Sequence, residues 1–225
     1  MATPGIILVF IRPKHPLLTP TVLSEWYDVH AVEDVFPHSP VDTGFKYSPL
    51  ASPPAHADEA NAWQLMTIFP IPDIAWRNSE EFAQINGKSD MLPEKDKTIW
   101  EQADIEFRWY ERMGQFDGGK EKGMNGHVPS PSTKVEPSEN VFVVTTSSSG
   151  SQLPASVRSS ESFVRSTYYK VAASNGENTP DYLKVYEFSE GARLEEEALK
   201  DMEIGTAKVG AWKLDRLWGE QGARL

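Results

Sequence analysis

The chain has 225 residues, no cysteine, and 33 acidic against 22 basic side chains, a formal net charge of -11. That balance repels phosphate backbones and anionic headgroups, so the sequence points to no nucleic-acid partner and no membrane. The missing cysteines remove disulfides, thiolate nucleophiles and zinc-thiolate sites together, and suit a reducing, cytoplasmic setting.

The first apolar run, Ile6 to Ile11, is followed at once by Arg12, Pro13 and Lys14. It is too short for a membrane span and poorly shaped for a secretory signal, and reads as a strand covered on both faces. Thr19 and Pro20 offer an N-cap and a first helical residue, after which Leu23, Trp26, Tyr27, His30 and Ala31 recur at helical spacing until Pro37. Phe45 to Tyr47 is a short strand, 48–57 a loop, and Trp63 to Phe69 a stronger strand. Ser79 can cap a second helix holding Phe82 and Ile85, which Gly87 stops. Ile105, Phe107 and Trp109 then alternate with Glu106, Arg108 and Tyr110, the mark of a strand with two different faces. The order is βαββαβ.

Between Gly114 and Ser138 there are five glycines, three prolines and almost no large apolar residue, which reads as a linker. Beyond it strands are expected at Val141 to Thr146, Phe163 to Ala172, Tyr182 to Phe188 and Val209 to Leu217, with a helix at Ala192 to Met202. The stretch 147–160 is serine-rich and holds Pro154, so the first helix of this half is short or irregular. The reading is an α+β chain of two tandem ferredoxin-like βαββαβ repeats, 1–116 and a degenerate 139–225, joined by linker 117–138. Each repeat leaves one sheet face uncovered, and two in one chain bury each other as an intrachain barrel. Two unrelated α+β domains are the alternative.

On the first helix Leu23, Tyr27, His30 and Asp34 fall on nearly one face, with Trp26 at its border. An imidazole one turn from a carboxylate that fixes its tautomer and raises its pKa, beside two aromatic rings, is fit for acid-base work on an apolar ligand. A hydrogen-bonded structural histidine is the alternative. The expected catalytic set is His30, Asp34 and Tyr27. Trp26, Tyr47, Trp63, Met66, Phe69, Phe107, Trp109, Arg108 and His38 are the candidate substrate-binding residues. Those on the helix-facing side of their strands line the pocket, and Arg108 serves only if it faces inward.

The strand Ile6 to Ile11 followed by Trp26-Tyr27-Asp28-x-His30 on the first helix resembles the EthD-like branch of the dimeric α+β barrel superfamily. The resemblance is specific over about the first 40 residues and topological beyond them. It implies a small-molecule pocket between sheet and first helix, cofactor-free chemistry among cyclases, decarboxylases, dehydratases, isomerases and quinone-forming monooxygenases, and proton transfer by His30. It also implies a barrel usually made by two subunits, whereas this chain supplies both halves, so a homodimer is not required. One active pocket is expected, in the first half.

No Gly-rich loop joins a strand to a helix, the five histidines show no HxxxH or HxH pairing, and no GxSxG elbow occurs. The sequence therefore implies no cofactor and no metal. The leading expectation is a cofactor-independent lyase or isomerase of cyclase, dehydratase, decarboxylase or pericyclase type. Its substrate would be a small apolar polyketide- or terpenoid-like metabolite, with His30 moving the proton, Asp34 orienting it and Tyr27 donating to a developing oxyanion. A cofactor-free monooxygenase of phenols and a non-catalytic ligand-binding barrel are the alternatives.

Overall fold

The computed structural model describes residues 2–49, 63–117, 140–146, 157, 160, 162–177, 179–188 and 208–219, with backbone alone for 117, 140–146 and 208–211. Eight strands run in chain order: β1 (Gly5–Pro13), β2 (Gly44–Pro49), β3 (Leu65–Ile71), β4 (Ala103–Asp117), β5 (Asn140–Thr146), β6 (Phe163–Ser174), β7 (Tyr182–Phe188) and β8 (Lys208–Trp218). The helices are α1 (Pro20–His30), α2 (Glu80–Gln84) and α3 (Ile99–Gln102). The helix expected at Ala192 to Met202, the loop 50–57 and most of the stretches 117–138 and 147–160 lie outside the described residues.

The sheet closes on itself within one chain, in the order β1-β3-β2-β8-β5-β7-β6-β4, with every pairing antiparallel. Read from β4, the first half runs β4-β1-β3-β2, and the second runs β8-β5-β7-β6, the same relative order. Two seams join the halves. Gly44 to Pro49 of β2 pairs with Trp218 to Trp212 of β8, and Arg108 to Asp117 of β4 pairs with Ser174 to Arg165 of β6. β4 therefore continues through Gly114 to Asp117, past the point where composition alone starts the linker, because it has a partner strand to complete its ladder.

Period-2 alternation sorts the side chains into two clusters. Ile6, Leu8 and Phe10 point into the barrel, with Phe45, Tyr47, Met66, Ile68, Tyr110, Tyr169, Leu183 and Trp212. Ile7, Val9 and Ile11 point outward, to Leu23, Trp26 and Tyr27 of α1 and to Leu65, Phe69, Trp109 and Trp218 of neighbouring strands. A continuous apolar run follows directly, since both faces of β1 are covered.

Covering the outer face is the work of short elements. Thr19 Oγ1 accepts from Val22 N at 3.3 Å and Pro20 opens α1, as the sequence predicts. The helix capped by Ser79, whose Oγ accepts from Phe82 N at 3.2 Å, ends after five residues and does not reach Gly87. A 3₁₀ turn, Ile74–Asn78, capped by Asp73, takes up the chain before it.

Candidate functional site

Helix α1 is held by charge as well as by apolar contact. Lys46 on β2, 3% exposed, donates from Nζ to Asp28 Oδ1 at 2.6 Å and to Ser24 Oγ at 2.8 Å. Arg216 of β8 donates from Nη1 to Asp28 Oδ2 at 2.8 Å. Asp28, the acidic residue of the Trp-Tyr-Asp-x-His run, thus clamps the helix to both halves of the barrel. Trp218 of β8 adds an aromatic contact, stacked on Phe69 and near Tyr27 and Phe36.

Past His30 the helix widens. Ala31–Val35 form a π turn, in which Phe36 N–H donates to Ala31 O, five residues back. Such turns carry a register change within an otherwise continuous helix. Asp34 sits in this turn with its Oδ2 3.2 Å from His30 Nδ1. The same oxygen accepts from Gly87 N at 3.4 Å. Gly87 has φ +63, and a Cβ there would lie 2.7 Å from Ile99, so only glycine lets this backbone approach.

His30 is 8% exposed, and its ring stacks on Trp26 at 4.6 Å between centroids. Asp34 raises the His30 pKa, as the sequence suggests, but burial acts the other way and is larger. Burial pushes the imidazole from its ordinary 6.5 to about 4, and the carboxylate offsets only part of that, because loss of water around the cation outweighs one partly solvated charge. The ring is neutral at neutral pH. With Nδ1–H directed at Asp34, Nε2 is left as the proton acceptor. Burial raises the Tyr27 phenol above its ordinary range, with the nearby Thr67 hydroxyl offsetting part, which keeps Tyr27 a hydrogen-bond donor.

Between the outer face of the sheet and these helical segments lies a cavity of about 780 Å³, in the size range of small-molecule sites. Ile7, Val9 and Ile11 form its floor together with Phe69, Ile105, Phe107 and Trp109, and α1 brings Trp26, Tyr27 and His30. On the far side of His30, a smaller polar recess of about 210 Å³ holds Asp34, Glu33, Asn86, Lys88 and Ser89. His30 borders both spaces.

Of the sequence candidates, the structure brings His30, Tyr27, Trp26, Phe69, Phe107 and Trp109 to one cavity, with Asp34 behind His30. Tyr47, Met66 and Arg108 alternate to the other face and belong to the barrel interior, against which Trp63 packs. Arg108 donates to Glu106 at 2.7 Å and lies 4.6 Å over the Phe10 ring, so it serves the interior instead of the pocket. His38 follows the π turn in a 3₁₀ turn and is not among the cavity's lining residues. Deeper in the interior, Arg165 and Glu187 form a bidentate pair, each 1% exposed, with Nη2 to Oε2 at 2.8 Å.

Sequence reasoning missed the opposite wall: Trp76 and Arg77 of the 3₁₀ turn, Trp100 of α3, and Asn175 beyond β6. A Trp-Arg pair between a strand and a capped helix was the available signal. Among the described residues no three His, Asp or Glu side chains come together as a metal-binding group would.

No family model and no curated protein matches the sequence. Solved structures match it in fold. An anthrone oxidase-like protein aligns over 100% of this chain and 95% of its own length at 9% identity, with a TM-score of 0.53. The chain has the fold of a ferredoxin-like α+β barrel. A candidate monooxygenase from Fusobacterium nucleatum covers 99% of the chain and 97% of its own at 7% identity, TM-score 0.47. A candidate chlorite dismutase covers 96% of each chain at 7% identity, TM-score 0.44. Among the described residues of this barrel no helix is long and apolar enough to cross a membrane.

Proposed function

We propose that this chain is a cofactor-independent enzyme that removes a proton from an acidic carbon or phenol of a small aromatic, polyketide-like substrate, with His30 as the base and a lyase or isomerase outcome. One observation carries the reading: a buried, neutral imidazole, backed by a carboxylate, in the wall of a large apolar cavity. A neutral ring that is itself largely buried is ready to accept a proton, and Asp34 stabilises the imidazolium that forms. Trp26, stacked on that ring, and Asp34 fix its orientation. Tyr27, held protonated by burial, is the donor to an enolate or phenolate oxygen. The polar recess behind Asp34 offers the proton a way to water.

The repeated strand order supports reading the barrel as two fused ferredoxin-like units, and the Trp26-Tyr27-Asp28-x-His30 run is what favours an EthD-like origin, the first unit bearing the site. The likeness in fold to an anthrone oxidase-like protein favours a second outcome, in which the same carbanion meets dioxygen as in a cofactor-free monooxygenase.

The test is deuterium exchange at the acidic methylene of an anthrone in D₂O, followed by NMR under nitrogen. Purified protein should accelerate exchange, and His30→Gln should lower that acceleration by about 10²- to 10⁴-fold, the usual worth of a positioned base. Undiminished exchange in a folded His30→Gln protein would remove His30 from the mechanism. Oxygen consumption on admitting air, with quinone as product, would select the monooxygenase outcome over the lyase or isomerase one.

A further inference from the structure

The fully buried side-chain atoms of the cavity lining that lack a partner share one character. Trp26 Nε1, Trp76 Nε1 and Arg77 Nη1 all belong to lining residues, are buried, and have no hydrogen-bond partner among the described residues. All three are donors. Of the side-chain acceptors in the lining, Asn175 Oδ1 takes Phe107 N at 2.7 Å and Ser174 Oγ takes Gly176 N at 2.9 Å, while His30 Nε2 stays open. Among the described residues no Asp or Glu lines the cavity, and Arg77 has no ion pair. With His30 neutral, Arg77 gives the lining a positive charge within a protein of net charge -11.

A buried N–H left without an acceptor is unfavourable, and more so when it carries charge. The remaining lining, Trp100, Phe107, Trp109 and Phe82 above all, is broad and aromatic. We infer that the ligand of this cavity is a planar aromatic carboxylate, its carboxylate on the guanidinium of Arg77, the one charged side chain among the described lining residues. A guanidinium fork matches a carboxylate in both charge and geometry. The inference rests on the cavity being the substrate pocket and is independent of what His30 does, since it concerns binding alone.

Isothermal titration of the purified chain with anthracene-2-carboxylate and with the neutral anthracene-2-carboxamide tests it without turnover. The wild type should bind the carboxylate at least about tenfold more tightly, a preference that weakens with added salt. Arg77→Met should bind both alike, and Arg77→Lys should keep part of the preference, with circular dichroism showing that each is folded. Should Arg77→Met fail to fold, Arg77→Gln serves in its place, since it keeps a polar group at the same position without the charge. Equal affinity in the wild type, a preference that survives loss of the charge, or binding of neither compound would overturn the assignment. A failed exchange experiment on His30 would leave it standing.

Discussion

The two faces of β1 have been put to opposite uses. Ile6, Leu8 and Phe10 enter an interior where apolar side chains close around two arginine-carboxylate pairs, Arg108 with Glu106 and Arg165 with Glu187. Ile7, Val9 and Ile11, their chain neighbours, floor an open cavity whose far wall is made by short helical segments. One face supplies cohesion and the other keeps a space. Both depend on the same six residues, so the division lies in what packs over each face and not in the strand itself.

The largest effect that would break this comparison belongs to the interior. Glu187→Ala strands Arg165 without its partner and should cost about 3–5 kcal/mol, whereas replacing both by Met and Leu should be close to neutral. Urea denaturation of the single and double variants checks this, and an inexpensive single would mean that water reaches the pair.

Next in size is an acid effect on the cavity face. The unfolded chain takes up the His30 proton near its ordinary 6.5 and the folded chain only near 4, so the associated stability is fully present above 6.5. It is lost as pH falls towards 4, by about 3 kcal/mol in total. His30→Gln should flatten this part of the stability profile between pH 7 and 4. Asp34→Asn, which removes the charge favouring the imidazolium, should move the His30 titration lower still in an NMR titration of the ring protons.

A smaller difference is expected from paired truncations on one strand. Ile6→Ala, in the filled interior, should cost about 2–5 kcal/mol. Ile7→Ala should cost about 1–2 kcal/mol less, because its side chain already borders empty space and gives up fewer contacts. Equal losses would show that the cavity floor is as tightly packed as the interior. Smallest is Gly87→Ala, about 1 kcal/mol from its φ of +63, more if Ile99 cannot yield. The same NMR titration should show His30 released from Asp34.

Strand positions were legible in the sequence because their apolar alternation is a local property. The cap at Thr19-Pro20, the split faces of 105–110 and the stripe Leu23, Trp26, Tyr27 and His30 all appear as read. What alternation alone leaves open is which face looks where. Tyr47 and Met66 differ from Phe69 only in parity relative to β1, and the register that fixes that parity is a pairing between distant segments. The net pKa of His30 was not legible for a related reason. The Asp34 charge can be seen in sequence, while the extent of burial is a sum over the whole fold. Arg77 was overlooked because it sits in a turn whose only interest is the cavity it faces.

The Asp28 clamp has a consequence for the order in which the molecule comes into being. One of its oxygens is held by Arg216, and Trp218 packs beside Tyr27, both in β8. On a ribosome, α1 emerges early but cannot be fully seated until the chain has been made through residue 218. The wall that α1 gives the cavity is thus among the last parts of the molecule to be secured, and a nascent chain stalled before β8 would carry its histidine on a loosely held helix.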